Sequence, residues 1–429
     1  MTDRGWTAAS AVLAAAALYW THELGSVLSI NSYWDGRAVV EVPWIDRRWG
    51  AFGTAGAYVL AFAAAMLIAI ASPRRRRCAA TAVSIALVAL PVAAGLRGLP
   101  EQRTYTTDSI AYVHHAALQV LEGKDPYRWP TFPAAQRRFG MDLAYHTTRT
   151  DGVPDTRYPY PALSFLLAIP FACGGDHVDL RWLSLAMLVT AALLLDRGSA
   201  PGEPPWAAIS VASFPLLARL TYGSVTDAHW VLPLALAWHV LPRRPLVVGV
   251  CLGIACAIKQ TPWLVAPFLA VAVVRTHGWR GGVGTTLAAL GVFGATNAPW
   301  IASSPAQWLD GVLSPFLHPL SPEGHGLILF ERNGLLPPLG RTGYTIATLG
   351  AYLGALLAYT TCPRLAPLGP VLGLLPAFLS WRSHANHYAM VPLLLFAGPT
   401  GPGTGSASDT GVTPQGEGHP APPPDARST

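Results

Sequence analysis

Charge is what this chain has least of. Of its 429 residues 12% are charged and 52% are hydrophobic, whereas a soluble globular chain carries roughly 25% charged residues. So little charge leaves too little solvated surface for an ordinary soluble domain. Cysteine is sparse as well. Cys78, Cys173, Cys251, Cys256 and Cys362 lie in or beside apolar runs and do not form the paired sets of a zinc site; they read as small apolar helix residues. The net charge of +6 gathers in short clusters, so it points to no nucleic acid. An internal repeat is missing too, and the apolar runs are nearly free of charge at their centres. Both absences weigh against a secondary transporter or lipid flippase.

Long apolar runs are what the chain does have. Residues 51–71 and 78–96 are two of them, and about 20 such residues span a bilayer core as a helix. Backbone in lipid must satisfy its own hydrogen bonds. The expected fold is therefore all-α, a polytopic transmembrane bundle of about 11–13 membrane helices with juxtamembrane helices on its outer surface. Residues 1–77 form an extra pair of transmembrane helices, 78–397 the core, and 398–429 a Gly/Pro-rich tail that cannot bury a core. Arg74 to Arg77, Arg243-Arg244 and the loop from Arg275 to Arg280 mark the cytoplasmic side. Loops 97–160, 301–341 and 381–387 then lie outside, with the Lys259-Gln260 hinge. The short run 161–173 leaves open whether it spans, re-enters or lies at the interface.

The polar groups concentrate in YTTDSIAYVHHAALQVLEGKDPY, residues 105–127. As a helix, this stretch puts Asp108, Tyr112, His115 and Gln119 on one face and Ile110, Val113, Ala117 and Leu121 on the other, with Gly123 as a stop. Such a helix is expected to lie on the membrane surface, apolar side down, capped by Thr106 or Thr107. The helix dipole would hold Asp108 ionised, ready to take a proton from a hydroxyl as general base. The residues alone leave open a plain dipole-stabilising acid.

The order Asp108, Tyr112, Gly123-Lys124-Asp125-Pro126-Tyr127, then Arg157-Tyr158-Pro159-Tyr160-Pro161 resembles the motif series of the GT-C class of membrane glycosyltransferases. It is most similar to glycosyltransferase family 87, the polyprenyl-phosphate-mannose-dependent mannosyltransferases. Tyr222-Gly223, Lys259-Gln260-Thr261-Pro262 and His387-Tyr388 follow in the same order. Tyr160 and Ser224 depart from the family pattern. The resemblance implies an integral protein of a bacterial plasma membrane with its active site on the extracytoplasmic side. It would move a sugar, mannose by family weight, from a polyprenyl-phosphate donor to a lipid or glycan acceptor with inversion. Asp108 is the implied catalytic base, with Asp35 as its rival.

Lys259 interrupts an apolar run, and a charge there needs a partner or a purpose; it and Gln260 are expected to meet the donor phosphate. Arg382 can fork onto phosphate, and His384, His387 and Tyr388 can bond phosphate or sugar. Tyr112, His115, Arg157 and Tyr158 complete the expected donor site. No cofactor is called for. A metal on His384 and His387 is disfavoured because no acid ligand lies near them in sequence. Arg137, Arg138, Arg149 and Arg157, outside the cell on this topology, suit an anionic partner.

Overall fold

The computed structural model describes residues 105 and 107–397, except 142–145, 199–204, 214–224, 325, 385 and 396, together with scattered positions from 78 to 99. The expected N-terminal helix pair, Asp35, the Arg74–Arg77 cluster, Thr106, Tyr222, Gly223, Ser224 and the 398–429 tail lie outside the described residues.

The longer helices are α1 (Asp108–Leu121), α2 (Ala134–Phe139), α3 (Arg181–Gly198), α4 (Trp206–Ser213), α5 (Asp227–Val240), α6 (Pro245–Ile258), α7 (Thr261–Ser303), α8 (Pro305–Val312), α9 (Leu327–Arg332) and α10 (Gly340–Thr361). One pair of two-residue strands interrupts the helical pattern. Strand β1 (Glu323–Gly324) runs parallel to β2 (Arg382–Ser383), with Glu323 opposite Arg382.

The expectation of a polytopic transmembrane bundle is not met. Among the described residues no helix is long and apolar enough to cross a membrane. The reasons are local. Helices α5 and α6 have 14 residues each, about 21 Å of rise against a hydrocarbon core of about 30 Å. Helix α3 carries Arg181, Asp196 and Arg197, and α10 is diluted by glycine and threonine. Helix α7 breaks at Gly278, whose φ of 70° is one that glycine adopts without steric cost. The run 161–173 becomes two four-residue turns, Leu163–Leu166 and Ile169–Ala172. Pro363 and Pro376 open the 3-10 turns into which the 363–379 stretch divides.

Two apolar cores organise the chain. The larger joins α3, α4, α5, α6 and the first half of α7 around the fully buried Trp230 and Trp238. In it, α6 and the second half of α7 pack backbone to backbone. A Cβ on Gly249 would collide with the carbonyl oxygen of Thr285, and one on Gly253 would crowd that of Ala289. Small residues one turn apart permit this approach. The smaller core surrounds α1 with Tyr127, Tyr158, Phe165 and Trp308.

Here a second expectation fails. Helix α1 does not lie on a surface. Every residue from Ser109 to Gln119 is buried, because α2 and the two turns of 163–172 cover it. Its predicted stop does occur, with Gly123 at φ 71°. Thr107 occupies the N-cap in extended backbone but makes no side-chain cap bond.

The helices share a common polarity. Helix α5 begins at Asp227 and is followed by the exposed Arg243-Arg244; α6 then returns to Lys259. The first half of α7 runs away again, so that Arg275 donates to the carbonyls of Tyr359 and Thr360 at the end of α10 (2.7 and 2.8 Å). The second half returns, and Ser304 beyond it donates to Asp125 (2.8 Å). Polar loops therefore gather at one end of these helices and arginines at the other.

Candidate functional site

Two helices open on an aspartate at the polar end. Asp108 is the first residue of α1 and Asp227 the first of α5. The segment after α2 brings Thr147 to Asp108. Its amide and hydroxyl both donate to Asp108 Oδ2, at 3.0 and 2.7 Å. No hydrogen bond from the described residues engages Oδ1, and the residue is half-buried. Among the described residues, one oxygen is thus fixed in direction and the other is unengaged.

Asp227 is different in kind. It is wholly buried and accepts three bonds, from Lys259 Nζ (2.7 Å), Asn386 Nδ2 (2.8 Å) and Trp230 Nε1 (2.8 Å). Lys259 also lies over the Tyr160 ring, 5.6 Å from its centroid. A hydroxyl chain joins the two aspartates: Tyr160 donates to Ser109 (3.0 Å), and Ser109 bonds Thr226 (2.8 Å), the residues beside Asp108 and Asp227 in the chain.

A third carboxylate arrives with β1. Glu323 accepts from Arg382 Nη2 (2.9 Å), and Arg382 Nε donates to His384 Nε2 (3.2 Å). Burial raises the Glu323 pKa; the Arg382 charge opposes this shift, and the negative charge of Asp108 adds to it. Burial also lowers the pKa of His387 to about 4, with Asp227 opposing and Lys259 and Arg382 assisting. His146 is held below its ordinary value by burial, against the pull of Asp108; its ring bonds Tyr112 Oη at 3.0 Å.

Most of the expected residues meet here. Asp108, Tyr112, Lys259, Arg382, His384 and His387 share this end, and the backbone of Tyr388 continues the turn Asn386–Ala389. Others do not join them. His115 is buried with neither ring nitrogen hydrogen-bonded among the described residues, and the charges nearest it are Arg138, Glu122 and Lys124. It is His114, the neighbouring residue, whose ring stacks on Phe139 of α2, 4.7 Å between centroids. Tyr158 is 1% exposed and bonds Ser164 (2.6 Å) within the smaller core. Gln260 clasps the carbonyls of Pro159 and Val312; it ties the hinge to α8. Arg157 pairs with Asp310 (2.8 Å) in a neighbouring cleft.

Sequence reasoning did not find Asp227, His146, Thr147, Asp155 or Asp310. A signal existed for Asp227: a charge such as Lys259 beside apolar runs requires a counter-charge, and Asp227 heads one of those runs. Glu323 and Asn386 were visible only as members of polar loops. The rings of His384 and His387 stand 5.8 Å apart and nearly perpendicular, and no group of three His, Cys, Asp or Glu side chains among the described residues is placed to hold a metal ion.

The arrangement sets an oriented, accessible carboxylate beside donors of positive charge. Lys259 spends one of its three donors on Asp227. Arg382 Nη1 is buried and has no hydrogen-bond partner among the described residues. Chemically, such a site can take a proton at Asp108 and receive an anionic group at Arg382 and Lys259. No protein-family model matches the chain, and no curated protein or solved structure matches it either.

Proposed function

We propose that the protein is a glycosyltransferase that moves a sugar from a polyprenyl-phosphate donor to a hydroxyl acceptor at a membrane. The observation that carries this reading is the gathering at one end of the helices of Asp108, held by Thr147, the Lys259–Asp227 pair, linked to it through Ser109 and Thr226, and the Arg382–Glu323 pair. In the reaction the Asp108 carboxylate takes the proton of the acceptor hydroxyl. The acceptor oxygen attacks the anomeric carbon from the face opposite the phosphate, and the C–O bond to phosphate breaks with inversion. Arg382 and Lys259 stabilise the charge that develops on the departing phosphate. Thr147 aims the base, and Asp227 holds Lys259 in place.

A lipid donor also needs apolar surroundings. Ile346, Leu349, Leu353 and Leu357 form an exposed row on α10, and Val283, Leu287 and Leu290 another on α7. Uncovered apolar rows of this extent mark contact with a partner or with lipid, which supports a membrane location for the protein.

The test is consumption of radiolabelled polyprenyl-phosphate sugars by the purified full chain in lipid nanodiscs, supplied with a membrane lipid extract as acceptor. Release of polyprenyl phosphate with loss of the labelled donor is expected. Folded protein that consumes none of a panel of hexose and pentose donors would overturn the reading.

A further inference from the structure

A cleft of about 270 Å³ opens beside the Asp108 site, lined by Arg149, Asp155, Arg157, Asp310 and His318 among others. Its walls come from two segments locked together. Arg149 bridges Leu320 in antiparallel fashion, Thr150 donates its amide to Pro319 (2.7 Å), and Ser321 donates its own to Thr148 (2.9 Å).

The charged groups form a closed ring. The Arg157 side chain pairs with Asp310 (2.8 Å), Asp310 with His318 Nε2 (2.9 Å), and His318 Nδ1 with Asp155 (3.2 Å). Asp155 accepts the backbone amide of Arg157 (3.4 Å) and so closes it. Each side chain is held by the next, which is what preorganised recognition requires. Arg149 stands outside the ring. Its nearest acid is Asp151, at 3.9 Å, and its Nε makes no hydrogen bond among the described residues.

Charge decides what can enter. Two arginines and the carboxylates of Asp155 and Asp310 line the cleft, so with a neutral His318 the lining charges cancel, and Asp151, outside the lining, stands 3.9 Å from Arg149. Such a balance favours no anion. A cation would find its carboxylates already engaged by Arg157 and His318. What remains is a set of close, mixed hydrogen-bonding groups: guanidinium N–H donors from Arg149 and spare lone pairs on Asp310, which is 42% exposed. Adjacent hydroxyls on a sugar ring both donate and accept at that spacing.

We infer that this cleft binds a neutral glycosyl unit of the acceptor, through Arg149 and Asp310. Its role as the acceptor subsite rests on the sugar-transfer reading above. The cleft reaches the base through one short stretch. Asp155 donates its amide to the carbonyl of Thr147 (2.9 Å), and Thr147 aims Asp108. A sugar seated here would present a hydroxyl toward Asp108 while holding Thr147 in place.

The experiment is saturation-transfer NMR on the full chain in nanodiscs with methyl hexopyranosides as probes, competed by inorganic phosphate and by methyl glucuronoside. Wild type is expected to give a saturable signal, with at least tenfold weaker binding in Arg149→Met and in Asp310→Asn. The anionic competitors should displace nothing. Because Arg149 is half-exposed, its variant remains informative even if Asp310→Asn fails to fold. An absent signal, unchanged binding in Arg149→Met, or displacement by phosphate would each overturn the inference. The readout requires no turnover, so a bound glycoside without donor consumption would sink the transferase reading and leave the cleft assignment standing.

Discussion

Asp108 and Asp227 occupy the same position in their helices and do opposite things. Asp108 is half-buried, bound by two neutral donors on one oxygen and open on the other. Asp227 is sealed, with a cation, an amide and an indole around it. A buried carboxylate with three of its lone pairs engaged has little left to offer a substrate. One with a fixed and a free oxygen is set to accept a proton. Equal placement on two helices thus yields a base in one case and a counter-ion in the other, and the surroundings make the difference.

Replacing Asp227 with Ala should break the comparison most severely. It strands the buried Lys259 charge, which costs about 3–5 kcal/mol. Denaturant midpoints should fall accordingly, and the double change Asp227→Asn with Lys259→Met should recover much of the loss. The opposite pattern is expected of Asp108→Asn, since Asn keeps an oxygen for Thr147 to bond. Its melting temperature should stay near wild type while turnover of the donor drops about 10²–10⁴-fold, the usual worth of a general base. If Asp108→Asn unfolded the protein and Asp227→Asn only slowed it, the two assignments would have to be exchanged.

A smaller effect follows from pH. Burial lowers the pKa of His114 and of His115 from 6.5 to about 4. The unfolded chain therefore binds these protons first, and stability is full above pH 6.5 and falls as pH drops toward 4. At pH 5 each imidazole should cost on the order of 1–2 kcal/mol. Thermal melts of wild type against His115→Gln, from pH 7 to pH 5, should show the variant losing less.

Legibility followed the range of the physics. The helix at 108–121 and its stop at Gly123 are local properties, and the sequence displays them. So is the grouping of arginines in the Arg243 and Arg275 loops, which do lie away from the polar end. Helix length misled because apolar composition was read without its breaks. The break at Gly278 falls inside the expected Arg275–Arg280 loop, whereas the prolines of 363–379 cut a run expected to be one helix into short turns. The polar face of α1 misled as well. Tyr112 reaches His146, whereas His115, one turn on, is buried with neither ring nitrogen hydrogen-bonded among the described residues.

By itself the sequence determined the helical character, the scarcity of charge, and which few segments hold acid, lysine and histidine. These follow from composition and from spacing over a handful of residues. Only the tertiary structure decided that Lys259, one of two lysines in the chain, answers to Asp227, that Gln260 is a clasp, and that Thr147 aims Asp108. Ion pairs and hydrogen bonds are set by distances of about 3 Å between groups the chain separates by as many as 179 residues. No local pattern encodes which of those groups will meet.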